Sequence, residues 1–160
     1  MDNHSKTNWT KEEIIAIYNK PLLELVYEAA GVHRQYHDPN KVQISSLISI
    51  KTGGCPEDCG YCPQAARYHT NITTNDLMSV SQVKAQALRA KQHGISRVCL
   101  GAAWRNVKDG EEFDQVLDMV RSITKLDMEV CCTLGMLTEN QAKRLEEAGL
   151  YAYNHNIDSS

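Results

Sequence analysis

The feature that most constrains the fold is a recurring alternation of helix and strand signals. From Ser79 onward an amphipathic stretch, a glycine and a short apolar run follow one another about every 30 residues, the length of a βαβ step. Ser79 to His93 carries Val80, Val83, Ala87 and Leu88 at helical spacing and stops at Gly94, and Arg97 to Gly101 reads as a short strand. Glu111 to Lys125 places Phe113, Val116, Leu117, Val120 and Ile123 on one helical face and leads into a strand from Met128 to Thr133. Thr138 caps a third helix, Leu137 to Ala148, which stops at Gly149 before a strand from Tyr151 to Ile157. One strand precedes these: Val42, Ile44, Leu47, Ile48 and Ile50 read as a buried strand that feeds the glycine turn Lys51-Thr52-Gly53-Gly54. Near the start, Thr10 and Glu13 make a capping box for a helix that Pro21 divides and Gly31 stops.

Four strands separated by helices imply a parallel sheet with right-handed crossovers. The expected fold class is α/β, a partial (β/α) TIM-type barrel of about four βα units after an N-terminal helix. Residues 1–160 read as the N-terminal part of a single barrel domain, with 1–41 an arm and helix and 42–160 the first half of the barrel. A complete eight-stranded barrel takes about 250 residues; this sequence has 160, so the expectation is a chain that stops before barrel closure.

Charge and composition narrow the partners. Lys+Arg 17 against Asp+Glu 20 leaves a net charge of -3, which offers no basic surplus for nucleic acid or an anionic membrane surface. No apolar run reaches the roughly 18 residues of a membrane span, and the opening residues lack the pattern of a secretory or transit peptide. A cytoplasmic location is the expectation. In that reducing compartment the 6 cysteines read as metal ligands or redox groups rather than as a disulfide framework.

Three of them, Cys55, Cys59 and Cys62, form a C-x3-C-x2-C triplet on the loop after the first strand, with the aromatic Tyr61 directly before the third. A structural zinc site wants four donors, and no second C-x2-C pair follows; a distant residue such as His69 would have to complete one. Three thiolates on a 4Fe-4S cubane instead leave one iron open to a substrate. Of the other cysteines, Cys99 stands near the end of the second strand and Cys131 and Cys132 near that of the third; neighbours on a strand point to opposite faces, so only one of the latter two can face a barrel interior. Taken alone, such thiols are equally small core residues. In the last strand Asn154, Asn156 and Asp158 are spaced by two and share one face, with Tyr153, His155 and Ile157 on the other. Polar side chains on a buried strand need partners, which a ligand would supply; an exposed edge strand or an Asn/Asp turn is the other reading. His155 is given no role, and Lys51, Arg97 and Arg105 read as solvated or structural.

The cysteine triplet with its aromatic residue resembles the signature of the radical S-adenosylmethionine (radical SAM) superfamily. The narrower resemblance is to the biotin synthase family within it, carried by Ser49-Ile50-Lys51-Thr52-Gly53-Gly54-Cys55-Pro56-Glu57-Asp58-Cys59, Tyr61-Cys62-Pro63-Gln64, Gly101-Ala102-Ala103-Trp104 and Tyr153-Asn154-His155-Asn156-Ile157-Asp158, in that order. The resemblance implies that Cys55, Cys59 and Cys62 hold a 4Fe-4S cluster, and that Cys99 and Cys131 are two ligands of a 2Fe-2S cluster deep in the barrel. It implies that Tyr61, Asn156 and Asp158 bind S-adenosylmethionine, and Asn154 and Asn156 the substrate dethiobiotin. The implied reaction is one-electron cleavage of S-adenosylmethionine to methionine and a 5'-deoxyadenosyl radical, hydrogen abstraction at two saturated carbons of dethiobiotin, and insertion of sulfur drawn from the 2Fe-2S cluster. Beyond the metal ligands no catalytic side chain is implied. The partners implied are an electron donor such as flavodoxin or ferredoxin and, in the family, a second copy of the chain. Family members take the remaining 2Fe-2S ligands from later strands, so the 160-residue chain is expected to be inactive alone. The alternatives are a radical SAM enzyme with another substrate, a noncatalytic iron-sulfur electron carrier or redox sensor, and a zinc module.

Overall fold

A computed structural model describes residues 6–156, which divide after Val42 into two compact units. The expected last strand therefore ends outside the described residues, as does Asp158. In the first unit Thr10 and Glu13 form the capping box at the start of α1 (Lys11–Tyr18). Pro21 ends that helix and opens α2 (Leu22–Tyr36), since its ring removes an N–H but suits a first turn. Gly31 does not stop α2, contrary to expectation. Its φ is not positive, and nothing lies within 4 Å of where its Cβ would be, so it costs the helix only propensity. The helix ends at Tyr36, with His37 extended (φ -134°) just ahead of Asp38-Pro39.

The second unit is a parallel sheet of four strands in the order β1 (Ser45–Lys51), β2 (Arg97–Ala102), β3 (Glu129–Thr133) and β4 (Ala152–Tyr153). α3 (Val80–Gln92), α4 (Glu111–Thr124) and α5 (Glu139–Glu147) connect them in turn. Among the described residues the sheet does not close on itself, the arrangement of part of a (β/α) barrel. Ser79 and Thr138 start α3 and α5 with capping boxes to Gln82 and Gln141. Gly94 and Gly149, with φ of 77° and 94°, terminate α3 and follow α5, where left-handed backbone suits a residue without a Cβ.

The core lies on one side of the sheet. Ile48 and Ile50 of β1, Val98 and Leu100 of β2, and Val130 and Cys132 of β3 pack with Val83 of α3, Phe113, Val116 and Val120 of α4, and Leu145 of α5. Alternate residues face the other way: Leu47 pairs with Cys99, Cys99 with Cys131, and Cys131 with Ala152 across the sheet. The first strand is thus not buried throughout. Val42 and Ile44 precede it, and Leu47 is 73% exposed, because helices cover only one face. No helix among the described residues is long and apolar enough to cross a membrane.

Candidate functional site

The cysteine loop leaves and returns at the end of β1. Gly53 and Gly54 both take positive φ, 74° and 69°, and a Cβ on Gly53 would stand 2.9 Å from Thr74 Oγ1. Thr52 and Asn75 exchange N–H···O bonds of 3.2 and 3.0 Å, and Met78 N–H donates to the Ile50 carbonyl at 2.8 Å. Inside this closed excursion the chain doubles back: Cys55 N–H donates to the Gln64 carbonyl (3.0 Å), Ala66 N–H to the Cys55 carbonyl (2.7 Å) and Cys62 N–H to the Cys59 carbonyl (3.0 Å). Arg67 pairs with the Asp58 carboxylate at 2.7 Å, and the Tyr68 hydroxyl donates to the Asp58 carbonyl at 3.0 Å.

That folding brings Cys55, Cys59 and Cys62 to the wall of one cavity of about 430 Å³, which Tyr61 also lines. The other walls come from segments just past the C-terminal ends of the strands, where barrel enzymes carry their sites. Ala102 ends β2 and Ala103 and Trp104 follow it, Gly135 and Met136 follow β3, and His155 and Asn156 follow β4. Among the described residues no three His, Cys, Asp or Glu side chains stand as a site for a single metal ion. Three soft thiolate donors around a roomy space are the donor set of an iron-sulfur cluster, whereas structural zinc wants four donors about one point. His69 is exposed and lies outside the cavity lining.

Cys99 and Cys131 sit elsewhere. They are partners in the β2–β3 ladder on the face without helices. Burial and then the neighbouring Cys99 thiol push the Cys131 thiol up to about 11. Cys132 points into the core, where burial raises its thiol further. Thr133, two residues after Cys131, lines the cavity, so the thiol pair lies roughly 7 Å farther down the strands. The three-cysteine wall and the Cys99–Cys131 pair are thus two separate thiol groups on the open side of the sheet.

The last segment departs from expectation. β4 covers only Ala152 and Tyr153 rather than Tyr151 to Ile157, and Asn154 N–H to the Cys132 carbonyl (2.9 Å) is the last backbone bond to the sheet among the described residues. Asn154 and Asn156 are exposed, not on a buried strand, and their amides bond each other at 3.1 Å. Side-chain amides that bond locally compete with a ladder, and an edge strand has little else to hold it. Because alternation ends there, His155 is not turned away: it lines the cavity beside Asn156, while Asn154 does not. Arg105 is also more than solvated. It lines the cavity and pairs at 3.2 Å with Glu57, which sits between the first two cysteines. Sequence reasoning passed over Glu57, Gln64 and Met136; for Glu57 and Gln64 the only signal was their place within the cysteine motif.

Comparison with known proteins bears on this arrangement. The chain matches the family model of the radical SAM superfamily over residues 49–160. It is 81% identical over 155 residues to a biotin synthase of Flavobacterium psychrophilum, covering 97% of this chain and 43% of that protein. It is 79% identical over 160 residues to a biotin synthase of Flavobacterium johnsoniae, covering 100% of this chain and 44% of the relative. A biotin synthase of Nostoc punctiforme is 61% identical over 153 residues, 96% of this chain and 46% of the relative. The chain thus spans less than half the length of these curated relatives.

Proposed function

The chain belongs to the radical SAM superfamily, and from that premise we propose that it carries the S-adenosylmethionine-cleaving centre of a biotin synthase. The observation that carries this reading is the convergence of Cys55, Cys59, Cys62, Tyr61 and Asn156 on one cavity at the C-terminal ends of parallel strands. In this reading Cys55, Cys59 and Cys62 hold a 4Fe-4S cluster, and Cys99 and Cys131 are two ligands of a 2Fe-2S cluster farther down the sheet. When bound, these groups supply the electron that cleaves S-adenosylmethionine and the sulfur atom that closes the biotin ring.

The chain's own residues bind, space and shield. Tyr61 flanks the adenine, Asn156 takes the ribose hydroxyls together with Asp158, and Asn154 and Asn156 meet the dethiobiotin ring. The Asn154–Asn156 amide bond of 3.1 Å keeps those two side chains in register with each other. Trp104 and Met136 give the cavity apolar walls. The enzyme is read as cytoplasmic, served by an electron donor of the flavodoxin or ferredoxin kind, and dimeric as in the family; residues 42–160 form its part-barrel and 1–41 its arm and helix.

Anaerobic reconstitution with iron and sulfide tests the centre. The expected product is a cubane whose electron paramagnetic resonance spectrum changes when S-adenosylmethionine is added. A protein that takes up zinc instead, or a cubane indifferent to S-adenosylmethionine, overturns the reading. Product analysis with dethiobiotin then separates biotin formation from radical chemistry on another substrate.

A further inference from the structure

Gln64 grips the cysteine loop at two points. Its side-chain oxygen accepts the Gly53 N–H at 3.0 Å, and its carbonyl accepts the Cys55 N–H at 3.0 Å. Between those two residues lies Gly54, held at a φ of 69°. One residue thus clamps both sides of the turn that delivers Cys55, while standing two positions after Cys62. The separation of the first and third cysteines is set through it. Backbone bonds from Ala66 to Cys55 and from Cys62 to Cys59 also shape the loop, while Asp58–Arg67 and Glu57–Arg105 are solvent-facing ion pairs of the kind that contribute little on their own.

The same bond fixes the amide's orientation. Gly53 N–H can only donate, so the atom facing it is the oxygen, and the nitrogen lies on the other branch. That nitrogen has no hydrogen-bond partner among the described residues, and Gln64 lines the cavity that the three cysteines share. Hydrogen bonds donated to the sulfurs of an iron-sulfur cluster raise its reduction potential.

Building on the 4Fe-4S reading above, we propose that Gln64 is a positioning residue for the cluster loop: its oxygen holds the turn, and its amide nitrogen donates to the group bound by the cysteines. The two halves separate by substitution. Gln64→Met removes both the acceptor and the donor without adding charge; Gln64→Glu keeps an oxygen for Gly53 and removes the NH2 group. After anaerobic reconstitution, iron and sulfide per chain are measured following desalting, and midpoint potentials by titration monitored by electron paramagnetic resonance, with circular dichroism to confirm folding. Q64M is expected to retain the cluster about fivefold less well, the weight of one neutral hydrogen bond, and Q64E to restore retention. Both variants are expected to shift the potential to more negative values. Wild-type retention in Q64M, failure of Q64E to restore it, or an unmoved potential in both overturns the proposal. Wild-type protein that assembles no iron-sulfur cluster instead sinks the functional reading beneath it.

Discussion

Gly135 is where two of the cavity's walls meet, and replacing it with alanine gives a test with an internal control. Its φ is 78°, and an added Cβ would stand 2.2 Å from the Arg105 oxygen, 2.5 Å from the Arg105 carbonyl carbon and 2.7 Å from the Trp104 oxygen. All three are backbone atoms, so no side chain can swing aside. The neighbouring Met136 N–H donates to that same Arg105 oxygen at 2.9 Å, which ties the segments after β2 and β3 together. Left-handed backbone costs a residue with a Cβ about 1–2 kcal/mol, and overpacking that forces a backbone shift adds about 1–3 kcal/mol. G135A should therefore lose about 2–5 kcal/mol in all. Gly94 supplies the control: its φ is 77°, yet nothing lies within 4 Å of its ideal Cβ, so G94A bears only the conformational part. Urea unfolding followed by circular dichroism should place G135A below G94A by about 1–3 kcal/mol. Equal midpoints for the two variants would refute the claim that the close approach of the two loops, rather than the dihedral angle, requires glycine at 135.

Other expectations follow from single contacts. Gln141 is buried at the start of α5 and its amide nitrogen donates to the Val107 carbonyl at 3.1 Å, so Gln141→Met should cost about 1–3 kcal/mol in urea unfolding by orphaning that oxygen. The Tyr153 hydroxyl accepts the Leu134 N–H at 3.0 Å and donates to the Gly135 carbonyl, and Tyr153→Phe should lose a comparable amount. Burial pushes that phenol up to about 12. The fold prefers its neutral form, so its contribution is complete below the ordinary tyrosine range near 10 and fades as pH rises toward 12. Tyrosinate absorbance should therefore show a late-titrating component in the wild type that Y153F lacks. Cys132 is fully buried and Cys55 is not, so alkylation of the native, metal-free protein mapped by mass spectrometry should label Cys55 well before Cys132; comparable labelling would contradict the burial.

What could be read from the chain and what could not divides along the range of the interactions involved. Thr138 and Gln141, like Thr10 and Glu13, close capping boxes within one helical turn, so the starts of α1 and α5 are written in neighbouring residues. Gly94 and Gly149 stop helices because their positive φ is a local property, whereas Gly31 shows that the residue type alone does not. The exposure of Leu47 depends on which sheet face the helices cover, and the early end of β4 depends on its pairing with β3 alone among the described residues, so neither is visible within its own segment. The cysteines show the same division. The triplet at 55, 59 and 62 suggests a common destination through its spacing, and the backbone bonds that double the loop back are what bring its three cysteines to one cavity wall. Cys131 and Cys132 are adjacent, and alternation says only that they part. It takes the pairing of Cys99 with Cys131, and the placement of Cys132 against the helices, to put one thiol on the open face and the other in the core. Sheet register, set by which apolar face the crossover helices bury, is therefore what selects the thiol that can meet a ligand.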